Sequence, residues 1–231
     1  MTPPATSPHG TPEAPLLTVH GEAEIDTEPE IARISVTITA RGRDRRTTLD
    51  DLTRRNTTAL DLVKSYADAV EHLTTGTITL TPELTPHGRG ERVRSHHGRI
   101  HLTAELSDFT TLAELTTRLA DLELTQVDGP WWSLRPDSPA PAQARRQAVH
   151  EALRRAREYA DALGTTIAAL VELADTGADH THPGRAPFER GGRRTALAHP
   201  DEPAQPLDLE PPRLRVSAQV SAQFTMRPPQ I

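Results

Sequence analysis

The sequence predicts an α+β protein in which antiparallel strands form a layer and helices pack on one face of it. Two observations support this prediction. From 213 to 227, apolar and polar residues alternate at every position, which is typical of a strand with one buried and one solvated face. The same alternation recurs upstream, separated by segments with helical spacing. The predicted order is ββαββαβαββ, and the polar face on each strand favours a single sheet covered on one side.

The first elements are a tail, two strands and a long helix. Residues 1–15 are predicted to form a flexible tail. Residues 17–25 and 32–40 alternate as strands, and the proline-containing turn between them predicts that these two strands pair with each other in antiparallel fashion. A helix is predicted at about 48–73, because leucine, valine and alanine keep close to helical spacing there.

The middle of the chain predicts two further strands and a short helix. The third strand contains residues 78–84, where Pro82 must lie at an edge or a bulge because it has no N–H to donate. Alternation returns at 100–106, which predicts the fourth strand. Asp108 is then expected to cap a helix over 109–122.

The last third predicts a strand at 127–134, a helix at 139–163 closed by Gly164, and a strand at 167–173. Alanine stands at every fourth position of this helix, at Ala144, Ala148, Ala152, Ala156 and Ala160. Such a ridge of small residues lets a helix lie close to its neighbour. Residues 176–211 are rich in proline, glycine, histidine and arginine and are predicted to form a mobile excursion. Residues 16–228 are predicted to form one domain.

Composition excludes several classes of function. The formal net charge is −6, with 26 basic and 32 acidic residues well mixed, so we expect no binding to nucleic acid or to a membrane surface. There is no cysteine, which excludes disulfides and thiolate chemistry. The N-terminus has no signal-peptide pattern, and no stretch approaches the ~20 apolar residues of a membrane span. If Met1 is the true start, a soluble cytoplasmic protein is expected.

Several segments resemble one known family. They are the Val19-His20-Gly21-Glu22-Ala23-Glu24 strand, the following Glu28-Pro29-Glu30-Ile31-Ala32, Asn56 in the first helix, the helix from Ala144 to Gly164, and the final Val216-Ser217-Ala218-Gln219-Val220. In this order they resemble the SIMPL-domain family over 16–226, a group that includes periplasmic stress-defence proteins and an animal adaptor of a Pelle-like kinase. The resemblance implies an α+β fold, assembly into large rings in some members, and no established catalytic activity or catalytic residues.

Histidines and paired carboxylates are the candidate catalytic or metal-binding residues. Residues 86–98 are expected to form a long hairpin loop containing three histidines, with His101 just beyond it. On a strand, His97 and His101 would share a face but lie about 13 Å apart, too far to hold one ion unaided. His180 and His182 fall in the predicted excursion. These histidines are interpreted as surface residues, so no metal site and no cofactor is predicted.

The carboxylate pairs Glu22 with Glu24 and Asp50 with Asp51 are interpreted in the same way, as solvated side chains without the unequal burial that acid–base catalysis requires. No nucleophile motif or phosphate-binding loop is present in the sequence. No catalytic residue is therefore predicted.

Trp131 and Trp132 are the candidate interaction residues. Adjacent strand residues face opposite sides, so one indole should enter the core and the other should lie on the outer face, where it could anchor a partner or another subunit. The alternative is that both rings pack, one under a helix and one beneath the prolines at 136, 139 and 141.

Three functional hypotheses follow. The first is a non-enzymatic SIMPL-domain protein that acts by self-assembly or by binding a protein partner, in connection with a stress response. The second is a small-ligand-binding protein with a cleft between the tryptophan-bearing strand and residues 176–211. The third and weakest is a metal-dependent hydrolase built from the histidines.

Overall fold

The structure is a computed structural model that describes residues 10–84, 93–178 and 209–229. These residues form seven strands and three helices in the predicted order, which confirms the α+β prediction. In chain order the elements are β1 (Leu16–Thr27), β2 (Ile31–Gly42), α1 (Arg45–Lys64), β3 (Val70–Leu84), β4 (Val93–Leu106), α2 (Phe109–Ala120), β5 (Thr125–Ser133), α3 (Ala140–Ala162), β6 (Ile167–Ala178) and β7 (Leu214–Met226).

The chain divides into two compact units. The terminal unit takes its described residues from 10–28, 136–178 and 213–229, and the central unit takes them from 29–135 and 209–212. Each unit has an antiparallel sheet with one helix (terminal unit) or two helices (central unit) on one face. The expected single sheet is therefore wrong, because the strands form one three-stranded and one four-stranded sheet. The prediction of one domain over 16–228 stays a prediction.

In the terminal unit the strand order is β1-β7-β6, and all pairs are antiparallel. The closing strand follows the predicted alternation, with these side chains buried: Leu214, Val216, Ala218, Val220, Ala222, Phe224 and Met226. The helix α3 lies against β1 and β7. All five alanines of its predicted ridge are at most 1% exposed, which confirms that the ridge faces the sheet.

Gly21 is the point of closest approach between β1 and α3. A Cβ atom added at Gly21 would lie 2.0 Å from the carbonyl oxygen of Ala148 and 2.6 Å from the backbone nitrogen of Ala152. No side chain fits in that space, so glycine is required on the strand and alanine on the helix.

In the central unit the strand order is β3-β4-β2-β5, and α1 and α2 cover one face. The core is built from large aliphatic side chains, with the following fully buried: Ile34, Val36, Ile38, Leu52, Val63, Leu102, Leu106, Leu112, Leu115 and Leu119. Leu209, the first described residue after 178, also packs against this core. Asp108 caps α2 as predicted, accepting hydrogen bonds from the backbone N–H groups of Thr110 and Thr111 at 2.9 and 3.2 Å.

The helix α1 differs from its prediction at both ends. It begins at Arg45, where the carboxylate of Asp44 accepts from the N–H groups of Arg46 and Thr47, and it ends at Lys64 rather than near residue 73. Two turns follow, and Val70 already pairs with Leu106 of β4. The leucine and valine spacing that predicted a helix to about residue 73 therefore runs on into β3. An edge strand with one apolar face places apolar residues at some of the positions that a helix would also use.

One strand pairing and the start of one strand also differ from prediction. The first strand does not pair with β2 but with β7, where Leu16 lies opposite Thr225 and Thr27 opposite Leu214. Residues 93–98, predicted as part of a loop, belong to β4, while residues 85–92 lie outside the described residues. Pro82 lies on the edge strand β3, as predicted.

At the N-terminus, residues 1–9 lie outside the described residues, and Thr11 and Ala14 close a turn with two backbone hydrogen bonds. None of the helices in the described ranges is long and apolar enough to cross a membrane.

Candidate binding site on the outer face of the central sheet

The four-stranded sheet of the central unit has a polar surface on the side opposite its helices, here called the outer face. Alternation along the strands produces it, because the even-numbered residues at 32–40 of β2 and 100–106 of β4 enter the core and the odd-numbered ones between them project outward. Its main side chains are Arg33, Ser35, Thr37, Thr39 and Arg41 of β2, His97, Arg99, His101, Thr103 and Glu105 of β4, and Gln126, Asp128 and Trp131 of β5.

Three arginines of the outer face differ in their partners. Arg33 donates to Glu105 from Nε at 2.9 Å and from Nη2 at 2.6 Å. Arg41 forms an ion pair with Glu83, which also accepts a 2.7 Å hydrogen bond from the hydroxyl of Ser95. That hydroxyl first, and then Arg41, hold the pKa of Glu83 below its usual range. Arg99 has no carboxylate partner among the residues that the structure describes.

Arg99 lines a groove of about 460 Å³ that crosses β4, β2 and β5. Its floor is Thr37, which is 8% exposed and whose hydroxyl lies 3.0 Å from Nδ1 of His101. Along one side, the hydroxyl of Thr39 donates to the carbonyl of Leu124 at 3.1 Å.

At the β5 end of the same groove, Gln126 Nε2 donates to Asp128 Oδ1 at 2.9 Å. The groove therefore has a guanidinium on β4, hydroxyl groups and an imidazole over β2, and a carboxylate on β5.

The predicted interaction residues Trp131 and Trp132 point to opposite sides of β5, at the edge of this sheet. Trp132 packs against the core, with its ring 4.7 Å from that of Phe109 at an interplanar angle of 78°. Trp131 pairs with Arg33 across the strands and is 50% exposed. Gly129 and the cis-linked Pro130 precede the pair, at a register shift opposite β2. The role of Trp131 as a partner anchor stays a prediction.

A second exposed feature is the edge strand β6 of the terminal unit. Leu170, Val171 and Leu173 are 54%, 51% and 47% exposed. The predicted regular alternation of this strand is wrong, because the register with β7 shifts after Ile167 and again after Leu170. The pairing places Leu170 opposite Phe224 and Leu173 opposite Ala222, so both lie on the α3 side of the sheet, while Val171 falls in a register shift and has no residue opposite it.

The histidines considered as candidate metal ligands do not come together in one site among the described residues. His97 and His101 share the outer face as expected from the strand period, while His180 and His182 lie outside the described residues. Among residues 10–84, 93–178 and 209–229, no three histidine or carboxylate side chains are grouped as metal ligands would be.

The carboxylate pairs are solvated or ion-paired. Glu22, Glu24 and Asp50 are exposed, and Asp51 is half-buried beside Arg54 and Arg55. The hydrogen bond from Arg55 is the main cause that lowers the pKa of Asp51. A carboxylate held in its ionised form by arginine is a structural ion pair rather than a proton donor.

Sequence reasoning did not single out Arg99 or the side chains around it. These residues come from three strands that are far apart in the sequence, and only the pairing of β4 with β2 and of β2 with β5 brings them together. The apolar edge could have been noticed in the sequence, since Leu170 stands at a position of the predicted sixth strand where regular alternation would place a polar residue.

Comparison with known proteins gives a family and a remote structural likeness. A crystal structure from Burkholderia cenocepacia, with the provisional description amidohydrolase/peptidase, is 17% identical to this chain, with a TM-score of 0.27. The match covers 57% of this chain and 33% of that one, so this chain spans about a third of its length. No curated protein matches. The sequence profile of SIMPL, described as a protein of unknown function (DUF541), matches residues 17–224. The chain therefore belongs to the SIMPL family.

Proposed function

We propose that this SIMPL-family protein acts without catalysis, through contact with other protein chains, and that copies of it assemble through the edge strand β6. The observation that carries the proposal is the trio of half-exposed apolar residues Leu170, Val171 and Leu173 on an edge of the terminal sheet.

The two edges of the terminal sheet differ in a way that favours β6. The edge strand β1 projects Glu22, Glu24 and Asp26 into solvent, and charges of this kind oppose pairing with another strand. The edge strand β6 has 12 residues with two carboxylates, Glu172 and Asp175, and it also exposes Leu170, Val171 and Leu173. Natural proteins usually protect long apolar edges, so an apolar edge with no neighbouring strand among the described residues marks a contact surface.

A second copy of the chain is the occupant we propose. An antiparallel pair of β6 strands would be related by a two-fold axis, and each would supply the backbone donors and acceptors that the other lacks. The same contact would remove the three apolar side chains from water, which is favourable by roughly 25 cal/mol for each Å² buried.

Size-exclusion chromatography with light scattering tests this proposal. The wild-type chain of 25.3 kDa is expected to elute at a multiple of that mass, and the double substitution Leu170→Lys with Leu173→Lys is expected to give the monomer. Ile78→Lys is the matched control, because Ile78 is 58% exposed on the edge strand β3 of the central unit. A wild-type monomer at every concentration would overturn the proposal, and dissociation by the control variant would place the contact elsewhere.

The stress-related role is supported only by the family resemblance, and survival of cells lacking the protein under oxidative or heat challenge tests it. The cytoplasmic location stays a prediction that cell fractionation checks.

A further inference from the structure

The outer-face groove of the central unit combines a carboxylate with a cation that has no carboxylate partner in the part of the chain that the structure describes. Arg33 and Arg41 lie on the same face, and each is neutralised by a glutamate, whereas Arg99 lines the groove without such a partner among the described residues. A guanidinium is always charged, and its forked donors match a carboxylate or a phosphate. Arg99 is therefore the position on this face where an anionic group from outside the chain would be bound.

The side chains next to Arg99 extend its hydrogen-bonding capacity. Thr37 at the floor contacts Nδ1 of His101 at 3.0 Å, so the imidazole is held in one orientation by a hydroxyl that is itself nine-tenths buried. The opposite nitrogen, Nε2 of His101, has no hydrogen-bond partner among the described residues. A fixed imidazole with one uncommitted nitrogen can add a second contact to a ligand held by Arg99.

Asp128 at the other end determines what kind of anion fits. Its Oδ1 accepts from Gln126, which fixes the carboxylate, and its charge would repel a ligand that is negative throughout. An ammonium group at that end would be attracted instead. The groove volume of about 460 Å³ lies within the range of sites that bind small molecules.

We propose that this groove binds a small zwitterion, a free amino acid or a dipeptide, with its carboxylate on Arg99 and its ammonium group toward Asp128. The proposal goes beyond self-assembly through β6 and does not depend on it, because the groove residues all belong to the central unit.

The test is isothermal titration calorimetry of the full chain with the standard amino acids and their glycine dipeptides. At least one of these ligands is expected to bind. Its N-acetyl and carboxamide derivatives each lack one charge. Their affinity is expected to be lower by about tenfold or more, because each loses a charged hydrogen bond. Failure of every amino acid and dipeptide to bind overturns the proposal. Equal binding of inorganic phosphate overturns the assignment of a zwitterion.

Variants then locate the site. Arg99→Gln and Asp128→Asn are each expected to weaken binding of the best ligand by about tenfold or more. Arg33→Gln is the matched control, since it removes a charge from the same face outside the groove, and it should change the dissociation constant by less than about twofold. Circular dichroism melting of all variants separates lost binding from lost folding. Unchanged binding in a folded Arg99→Gln chain would overturn the proposal.

Discussion

The terminal and central units build the same arrangement, an antiparallel sheet with helices on one face, from opposite kinds of residue. In the terminal unit the helix lies at backbone contact with β1, through alanines and Gly21. In the central unit the helices stand further off, on a layer of interdigitating leucine, isoleucine and valine. The helix–sheet contact of the terminal unit has no room for an added atom. The aliphatic core of the central unit is instead sensitive to the loss of side-chain volume.

The largest expected effect is that of Gly21→Ala. Its added methyl group would meet the carbonyl oxygen of Ala148 at 2.0 Å, so α3 must separate from β1. We expect the free energy of unfolding in urea to fall by about 3 kcal/mol or more, at the upper end of overpacking effects.

The matched control for Gly21→Ala is Gly76→Ala on β3, where the nearest atom to the new Cβ is the carbonyl oxygen of His101 at 3.5 Å. This is an ordinary contact, and the change is expected to stay within about 1 kcal/mol. Equal losses in the two variants would show that the close approach of α3 is not what Gly21 provides.

The next largest effect tests the central unit by removing volume. Leu102→Ala on β4 deletes a fully buried side chain and leaves a cavity beneath α1, so the free energy of unfolding is expected to fall by about 2–5 kcal/mol. Hydrogen exchange should locate the loss in α1, β2 and β4. In the terminal unit, Leu163→Ala removes an equally large side chain that is 44% exposed and should change stability by less than about 0.5 kcal/mol.

The smallest expected effect on stability is that of changing the N-cap residues at the start of α2 in the central unit and of α3 in the terminal unit. Asp108→Ala removes the acceptor for two N–H groups of α2 and should cost about 1 kcal/mol. By contrast, the N-cap residue of α3 is Pro139, which forms no side-chain cap hydrogen bond, so Pro139→Ala should cost less than Asp108→Ala.

The contribution of Asp108 should also depend on pH. The hydroxyl and N–H of Thr111 hold the pKa of Asp108 below its usual range, so its folded-state pKa lies below the unfolded value. Its stabilisation is complete above the unfolded pKa of about 3.9 and is lost as pH falls through the lower folded value. The difference between wild type and Asp108→Ala in urea unfolding should therefore shrink in acid. A constant difference from pH 7 to pH 2 would contradict an ionised cap.

Sequence patterns predicted which face of an element is buried better than they predicted which strands are neighbours. The alternation of β7 and the alanine ridge identified the buried side of each element, because burial follows directly from period. Alternation says nothing about which strand lies alongside, so the short turn between β1 and β2 suggested a hairpin where the chain instead passes from one sheet to the other. The groove around Arg99 depends on those pairings, and the sequence could not reveal it.

The pairing of β1 with β7 has a consequence for folding during synthesis. All the strands and helices of the central unit lie between Ile31 and Ser133, so they can pack as soon as that stretch has left the ribosome. The strand β7 is made last and is hydrogen-bonded to both β1 and β6. Until it arrives, the first strand made has no sheet neighbour among the described elements. In a nascent chain stalled before residue 214, the strands and helices of the central unit would therefore be folded, whereas β1 and β6 would still lack β7, the strand that pairs with both.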